Sequence, residues 1–215
     1  MSKERKSPRV PLRKAILIEL VVIVTIAAFL LPGGQDLHAY YRPFVSGCLT
    51  CGYNPWHASW ILAPIRLIPP AILWPVWVFL TVIGLIWASD RLGTNAIYVL
   101  LSFPALGLIW LGQVDVVVVV GLTLALLSPG PYLRGVGLLL ASIKPHVSGI
   151  AILILLWHEE ERLKTLLIPG LVLVASVLVW GVDWPLRWIM AREPRAMPVW
   201  GLATLFPWAL VAFLG

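Results

Sequence analysis

Long apolar runs separated by short polar or proline-rich stretches make up most of this chain. The first run extends from Ala15 to Leu31 and is interrupted only by Glu19 and Thr25. Its length is close to the roughly 20 apolar residues that a helix needs to cross a bilayer. Pro32-Gly33-Gly34 follows and ends the helix, because proline and glycine disfavour its continuation. The run therefore predicts a first membrane-spanning helix.

Further apolar runs repeat this pattern and predict an all-α fold, a polytopic transmembrane helix bundle with about 7–8 membrane segments. Residues 32–70 separate the first two runs and are rich in proline, so we expect an extracytoplasmic loop with short interfacial helices there. Residues 15–215 would then form a single transmembrane domain. The later runs cover residues 71–89, 95–111, 116–128, 135–157, 165–182 and 201–215.

The run at residues 135–157 permits two arrangements. Its length suffices for one span, but Lys144-Pro145-His146 lies at its centre. A lysine at the bilayer centre costs roughly 2.5–3.5 kcal/mol. The alternatives are one kinked span with a buried cation, or a hairpin of two short helices that meet at Lys144. The distribution of Lys and Arg slightly favours the single span, with eleven inside and four outside against ten and six for the hairpin.

The composition restricts the class of protein. Hydrophobic residues make up 60% of the chain and charged residues only 12%, with a mean hydropathy of +0.93. Soluble domains typically carry about 25% charged residues, so we expect a membrane protein. Six of the sixteen Lys and Arg lie in residues 1–14. We interpret this segment as a basic cytoplasmic tail that orients a multi-pass protein of the plasma membrane, and not as a nucleic-acid-binding surface.

Asp36 is the first candidate for chemistry. It lies just beyond the first predicted span, beside Tyr40, Tyr41 and Arg42. A carboxylate at this boundary can act as a general base on a hydroxyl group, an effect worth about 10²–10⁴ in rate. The equally weighted alternative is a loop acid that only contacts water.

Two further polar groups interrupt the apolar pattern. Gln113 and Asp115 stand before a valine run, where an acid is costly unless it lines a cavity. Lys144 and His146 flank Pro145 and suit an anionic headgroup such as a lipid phosphate. The alternative readings are an interfacial turn for the first pair and a kink with a snorkelling lysine for the second.

Cys48 and Cys51 form a CxxC motif in the same loop as Asp36. His38 and His57 flank the motif, so a zinc site is conceivable, but their spacing fits no established zinc pattern. We expect a structural disulfide or two free thiols, and no metal site.

Four stretches, taken in order, resemble the GT-C class of integral-membrane glycosyltransferases. More narrowly, the chain is similar to glycosyltransferase family 87, the polyprenyl-phosphate-mannose-dependent mannosyltransferases. The resemblance covers roughly residues 15–185, and the chain is shorter than usual members of the family. The stretches are DLHAYYRPF at 36–44, GYNPW at 52–56, LIWLGQVDVVVVV at 108–120 and GVGLLLASIKPHVSGIAILILLW at 135–157.

This resemblance implies a membrane glycosyltransferase. It would transfer a hexose, expected to be mannose, from a polyprenyl-phosphate donor to an acceptor hydroxyl on the extracytoplasmic face, without a cofactor. It also implies the hairpin for residues 135–157. Asp36 would be the catalytic base. The candidates for binding the donor phosphate are Arg42, Lys144 and His146. The candidates for binding substrate are Gln113, Asp115, Tyr40 and Tyr41.

The expected partners are membrane lipids and the polyprenyl-phosphate sugar, with no nucleic acid. A non-enzymatic alternative is a structural or accessory subunit, built on a truncated GT-C scaffold and bound to other membrane subunits. A small transporter is a third class. It would also place Lys144 and Asp115 within the membrane, but it would not need Asp36.

Overall fold

The structure is a computed structural model that describes residues 9–191. Those residues are helices joined by turns, without a strand among them, and the all-α prediction is confirmed for this part of the chain. The predicted segment 201–215 and most of the polar loop predicted at 183–200 lie outside the described residues. The α-helices are α1 (Arg9–Leu30), α2 (Arg42–Val45), α3 (Ala58–Ile61), α4 (Pro70–Arg91), α5 (Ala96–Leu100), α6 (Phe103–Leu111), α7 (Asp115–Leu127), α8 (Pro131–Ala141), α9 (Pro145–His158), α10 (Arg162–Trp180) and α11 (Trp184–Met190).

Two short helical turns complete the segment between α1 and α4. A π-helical turn at Leu37–Tyr41 runs directly into α2, and a 3₁₀ turn at Ala63–Leu67 follows α3. Pro43 in the first turn of α2 and Pro64 in the 3₁₀ turn lack the backbone N–H that a longer helix would use. The prediction of short helices rather than a regular span between residues 32 and 70 therefore agrees with the structure.

The helices run back and forth between two ends of the bundle. Arg13 near the start of α1 forms an ion pair with Asp90 at the end of α4, with 3.0 Å between Nη2 and Oδ1. At the other end, Trp74 near the start of α4 donates to the carbonyl of Ile109, near the end of α6, at 3.2 Å. We call the end that carries residues 32–67 the loop end, and the end that carries Arg13 and Asp90 the basic end.

Helices α7 and α8 pack unusually closely and antiparallel. Gly121 and Ala125 on α7 face Gly137 and Ala141 on α8, so each helix presents a small residue at every fourth position. A Cβ added at Gly121 would lie 2.6 Å from the backbone nitrogen of Ala141, which is closer than real Cβ atoms approach. Small residues at this spacing let helix backbones approach closely, a packing mode common in membrane proteins.

The segment predicted as one span at 95–111 is broken into α5 and α6. Ser102 caps the second helix, because its hydroxyl oxygen accepts from the backbone N–H of Ala105 at 3.4 Å. Pro104 occupies the first turn of α6, where a missing N–H costs little. A serine cap followed by proline thus restarts the helix, and the prediction of a continuous helix was wrong.

Residues 135–157 form a hairpin and not a single span. Arg134 in the first turn of α8 forms an ion pair with Glu159, just after α9, with 2.6 Å between Nε and Oε2. In one straight helix these residues would lie about 37 Å apart, since the rise is 1.5 Å per residue. Lys144 leaves helical geometry at φ −132° and ψ 75°, as residues before proline commonly do. The preference for a single span drawn from the charge distribution was therefore wrong.

Two described helices, α4 and α10, are long and apolar enough to cross a membrane by length and composition alone. Of the most apolar stretch in each, 50% is buried in α4 but only 11% in α10. Helix α10 exposes large apolar side chains, with Leu163 at 88% and Leu178 at 81% exposure. Water would not favour such a surface, so these helices support association with a membrane.

The hairpin predicts which positions share a side of the membrane. In a background lacking Cys48 and Cys51, cysteines introduced at Glu160 and Leu92 should both react with an impermeant maleimide from one side of sealed vesicles. Both positions lie at the basic end and are exposed. A cysteine at the exposed Ser46, at the loop end, is the matched control and should react only from the other side. Reaction of the Glu160 and Ser46 positions from the same side would contradict the hairpin.

Candidate functional site

Gly34 brings the first loop against the end of α6. Its φ of +70° favours glycine, and a Cβ built there would lie 2.6 Å from Cδ1 of Trp74. Its backbone N–H donates to the carbonyl of Trp110 at 2.8 Å. Asp36 follows two residues later, at the start of the π-helical turn. The glycine therefore fixes where Asp36 enters the bundle.

The turn between α6 and α7 places Gln113 close to Asp36. Gly112 ends α6 with φ +71° and packs against the backbone of Gly34, so a Cβ would lie 3.0 Å from the Cα of Gly34. Trp77 of α4 donates its indole N–H to the carbonyl of Gln113 at 3.0 Å. Asp115 is the first residue of α7. The backbone of this turn is held on two sides, which limits where the Gln113 side chain can reach.

Five side chains then meet at the loop end, and we call them the polar cluster: Asp36, Tyr41, Gln113, Asp115 and Lys144. The amide Nε2 of Gln113 donates to Oδ2 of Asp36. Its Oε1 accepts from the hydroxyl of Tyr41 at 2.9 Å and from Nζ of Lys144. Because both donors lie on one side of the amide and the carboxylate on the other, the hydrogen bonds determine the amide orientation.

Lys144 joins the cluster from the tip of the α8–α9 hairpin. Its Nζ lies 2.9 Å from Oδ2 of Asp115, and the two side chains are 12% and 26% exposed. The same Nζ lies 6.0 Å from the ring centroid of Tyr41. A partly buried ammonium is thus neutralised by a carboxylate and hydrogen-bonded to an amide, which offsets the cost of its desolvation.

The cluster shifts the acidity of Asp36. Burial raises the pKa of Asp36 above its ordinary value of 3.8, the nearby Lys144 lowers the pKa, and the charge of Asp115 raises it. Burial together with both carboxylates also raises the pKa of Tyr41, so its hydroxyl stays protonated and can donate. An aspartate with a raised pKa accepts a proton more readily, which is the property of a general base.

Asn54 and His57 connect the loop to the hairpin tip, and no pattern in the sequence indicated either contact. Nδ2 of Asn54 donates to the carbonyl of Ile143 at 2.7 Å. Nε2 of His57 lies 3.0 Å from the hydroxyl of Ser142. Burial lowers the pKa of His57 to about 4, so the ring is neutral at pH 7. Asn54 and His57 lie on either side of Trp56, and their partners Ile143 and Ser142 directly precede Lys144. The two contacts therefore hold this part of the loop next to Lys144.

The other predicted binding residues lie around the cluster rather than in it. Arg42 follows Tyr41 and is half-buried, and no ion pair joins it to another described side chain. His146 lies in the first turn of α9 with its side chain exposed. Tyr40 turns the other way from Tyr41, with its ring centroid 5.8 Å from that of Tyr53. Lys144 is therefore the cation that the structure places in the cluster.

The CxxC motif is a disulfide, with Cys48 and Cys51 bonded to each other. It closes a tight loop after α2. Among residues 9–191, no group of three His, Cys, Asp or Glu side chains is arranged to hold a metal ion.

Comparisons of the chain with models of protein families, with curated proteins and with solved structures found no match.

The ion pair between Lys144 and Asp115 should be strongly coupled. We expect Lys144→Met and Asp115→Asn each to lower the free energy of unfolding, because each leaves a partly buried charge unpaired. The double variant should recover part of the loss, with a coupling of about 1–3 kcal/mol. The measurement is detergent or thermal unfolding of all four proteins in micelles.

The matched control is the exposed pair of Arg13 and Asp90, whose side chains are 44% and 58% exposed. The cycle of Arg13→Met and Asp90→Asn should give at most about 1 kcal/mol, as exposed pairs do. Equal coupling at the two pairs would mean that the polar cluster is no more desolvated than the surface.

Proposed function

We propose that the protein is a membrane glycosyltransferase. It would transfer a hexose, with mannose as the proposed sugar, from a polyprenyl-phosphate donor to an acceptor hydroxyl on the extracytoplasmic face. One observation carries the proposal: Asp36 and Lys144 bind opposite sides of the same Gln113 amide. A carboxylate and an ammonium held this close together suit a reaction that needs a base and a phosphate-binding cation.

The reaction needs few groups. The acceptor hydroxyl oxygen bonds to the anomeric carbon while the bond from that carbon to the phosphate oxygen breaks. The hydroxyl proton passes to Asp36, and the electron pair of the broken bond stays on the leaving polyprenyl phosphate. Attack from the face opposite the leaving group inverts the anomeric centre. Lys144 stabilises the charge that develops on the phosphate, which is the electrostatic part of catalysis.

The hydrogen bonds of the cluster leave capacity for both substrates. Lys144 has three N–H donors, and the described contacts use two of them, to Gln113 and to Asp115. The third can meet a phosphate oxygen. Asp36 accepts from Gln113 through Oδ2, so Oδ1 remains to accept from an acceptor hydroxyl. The Gln113 amide would hold the base in one orientation during the reaction.

The shape of the chain and its charges support the proposed membrane setting. Within residues 9–191 the chain passes between the basic end and the loop end as α1, α4, α5 with α6, α7, α8, α9 and α10. We propose that these passes cross the plasma membrane, with the N-terminus cytoplasmic. Ten of the sixteen Lys and Arg then fall on the cytoplasmic side, as the positive-inside rule favours. The polar cluster lies on the outer side.

A second candidate is a non-catalytic subunit of a larger membrane assembly. It is favoured by the hydrogen bonds and the ion pair that the side chains of the polar cluster make with one another. Gln113 uses both ends of its amide, and Lys144 has a carboxylate partner in Asp115. A network of this kind can serve only to fix the hairpin tip against the first loop. Such a subunit would bind other proteins and would not depend on a free proton acceptor at Asp36.

Asp36→Asn should keep the fold and remove transfer, because the amide can hydrogen-bond to Gln113 but cannot take a proton. We expect a loss of at least about 10²-fold in transfer of radiolabelled mannose from polyprenyl-phosphate mannose to methyl α-D-mannopyranoside in nanodiscs. Asp90→Asn makes the same chemical change at the basic end and should keep full activity. Transfer that survives Asp36→Asn would eliminate Asp36 as the base.

The pH profile supplies a control that a structural role would not mimic. The rise of kcat/KM with pH should occur above pH 3.8, because burial raises the pKa of Asp36. Asp115→Asn should move this rise to lower pH, since it removes a negative charge that raises the pKa of Asp36. An unchanged profile in that variant would mean that a different group titrates.

A further inference from the structure

The disulfide between Cys48 and Cys51 takes no part in the proposed glycosyl transfer. It lies at the loop end, and both of its cysteines are partly exposed. Two residues separate the cysteines, which is the CxxC spacing of dithiol redox motifs. Exposed disulfides are also more readily attacked by external thiols than buried ones. The spacing and the exposure make this bond a candidate for thiol–disulfide exchange.

The backbone brings the two cysteines together without help from the sulfur–sulfur bond. The N–H of Cys51 donates to the carbonyl of Cys48 at 2.9 Å, and their Cα atoms lie 5.3 Å apart. This is the geometry of a β-turn, in which the Cα distance is below about 7 Å. The N–H of Cys48 also donates to the carbonyl of Pro43 in α2 at 3.1 Å. A reduced form would therefore keep both thiols close together, ready to form the bond again.

Contacts beyond this turn hold the rest of the loop. Gly52 packs against the fully buried ring of Phe44, so a Cβ at Gly52 would lie 3.1 Å from Cδ2 of that ring. Asn54 donates to the carbonyl of Ile143 at 2.7 Å. A disulfide that closes so short a loop also removes less entropy from the unfolded chain than one that closes a long loop. Breaking the bond would therefore leave the loop in place.

A small cavity lies against the disulfide loop. Its volume is about 240 Å³, and Cys51 lines it, whereas Cys48 does not. No charged side chain is found among the described residues that line it. Pockets for drug-sized ligands measure about 300–1,000 Å³, so this smaller cavity suits one apolar or aromatic side chain. Its aromatic lining residues are Tyr40, Tyr53, Trp56 and Trp188.

We infer that Cys48 and Cys51 exchange their disulfide with a pair of cysteine thiols on an extended polypeptide, whose neighbouring apolar or aromatic side chain occupies the cavity. Because Cys51 lines the cavity, its Sγ is the atom that the substrate attacks. The inference does not depend on sugar transfer. It agrees with the proposed topology, which places the loop end on the extracytoplasmic side, where disulfides persist.

The exchange takes two steps. A substrate thiolate attacks Sγ of Cys51, the bond to Sγ of Cys48 breaks, and its electron pair stays on Cys48 as a thiolate. The second substrate thiolate attacks the substrate sulfur of this mixed disulfide, and Cys51 leaves as a thiolate. The two protons lost by the substrate thiols are taken up by the two protein thiolates. The substrate is oxidised by two electrons to a disulfide, and the protein is reduced to a dithiol.

Single-turnover exchange on the full chain in nanodiscs tests the inference. The oxidised protein is mixed with a reduced peptide that has two cysteines and a phenylalanine beside one of them, or with the same peptide carrying alanine instead. Maleimide labelling and mass spectrometry then follow the appearance of protein thiols. The chain has two cysteines, so every thiol detected comes from this bond. We expect the phenylalanine peptide to react about tenfold faster, because its ring is buried in the cavity.

Variants of the cavity test where the side chain binds. Tyr53→Ala should reduce the preference for phenylalanine to less than about threefold, because it removes an aromatic wall. Tyr98→Ala is the matched control, since Tyr98 is 75% exposed on α5 and does not line the cavity. It should leave the preference unchanged. Equal rates with the two peptides in wild type, or an unchanged preference in Tyr53→Ala, would overturn the cavity as the binding site.

Two further results distinguish exchange from a structural bond. The double variant Cys48→Ser/Cys51→Ser should stay folded, with a Tm lowered by no more than about 8 °C, because the loop is short and held by other contacts. A variant that does not fold would overturn the inference, as would a disulfide that stays oxidised with both peptides while the protein is folded. Faster exchange with reduced glutathione than with either peptide would overturn the polypeptide substrate.

Discussion

The charge of Lys144 inside an apolar bundle is the constraint on which the loop end depends. This side chain is only 12% exposed, and a partly buried ammonium without a partner is strongly destabilising. Asp115 neutralises it and Gln113 accepts from it. Both partners come from the turn after α6, so the hairpin tip and that turn must meet. The glycine contacts between α7 and α8 bring the hairpin close enough for this to happen.

Gln113 connects Lys144 to the first loop through its side-chain amide. Its amide has two ends, and because Lys144 and Tyr41 occupy the oxygen, the nitrogen must face an acceptor. Asp36 is that acceptor. The base of the proposed reaction is thus positioned by the same cation that would bind the donor phosphate. In the proposed reaction, this coupling would let one small polar cluster both hold the hairpin tip against the first loop and act as the site of group transfer.

The sequence predicted the members of the cluster but not how they join. Asp36, Gln113, Asp115 and Lys144 each stand out as polar residues at breaks in apolar runs, so periodicity and cost in a membrane identify them. The hairpin was harder to predict, because the charge distribution favoured a single span and only the family resemblance implied the hairpin. The structure decides for the hairpin through the non-helical backbone of Lys144 and the ion pair of Arg134 with Glu159. No pattern in the sequence predicted the contacts of Asn54 and His57, because their partners are a backbone carbonyl and a serine hydroxyl roughly ninety residues away. Propensity says nothing about such distant pairs.

The central claim is that donor phosphate and catalytic base share the polar cluster. A structure of the chain in nanodiscs with a non-transferable phosphonate analogue of polyprenyl-phosphate mannose tests it most directly. We expect phosphonate density in contact with Nζ of Lys144 and an anomeric carbon beside the carboxylate of Asp36. Density for the phosphonate away from Lys144, or a hexose that does not approach Asp36, would contradict it.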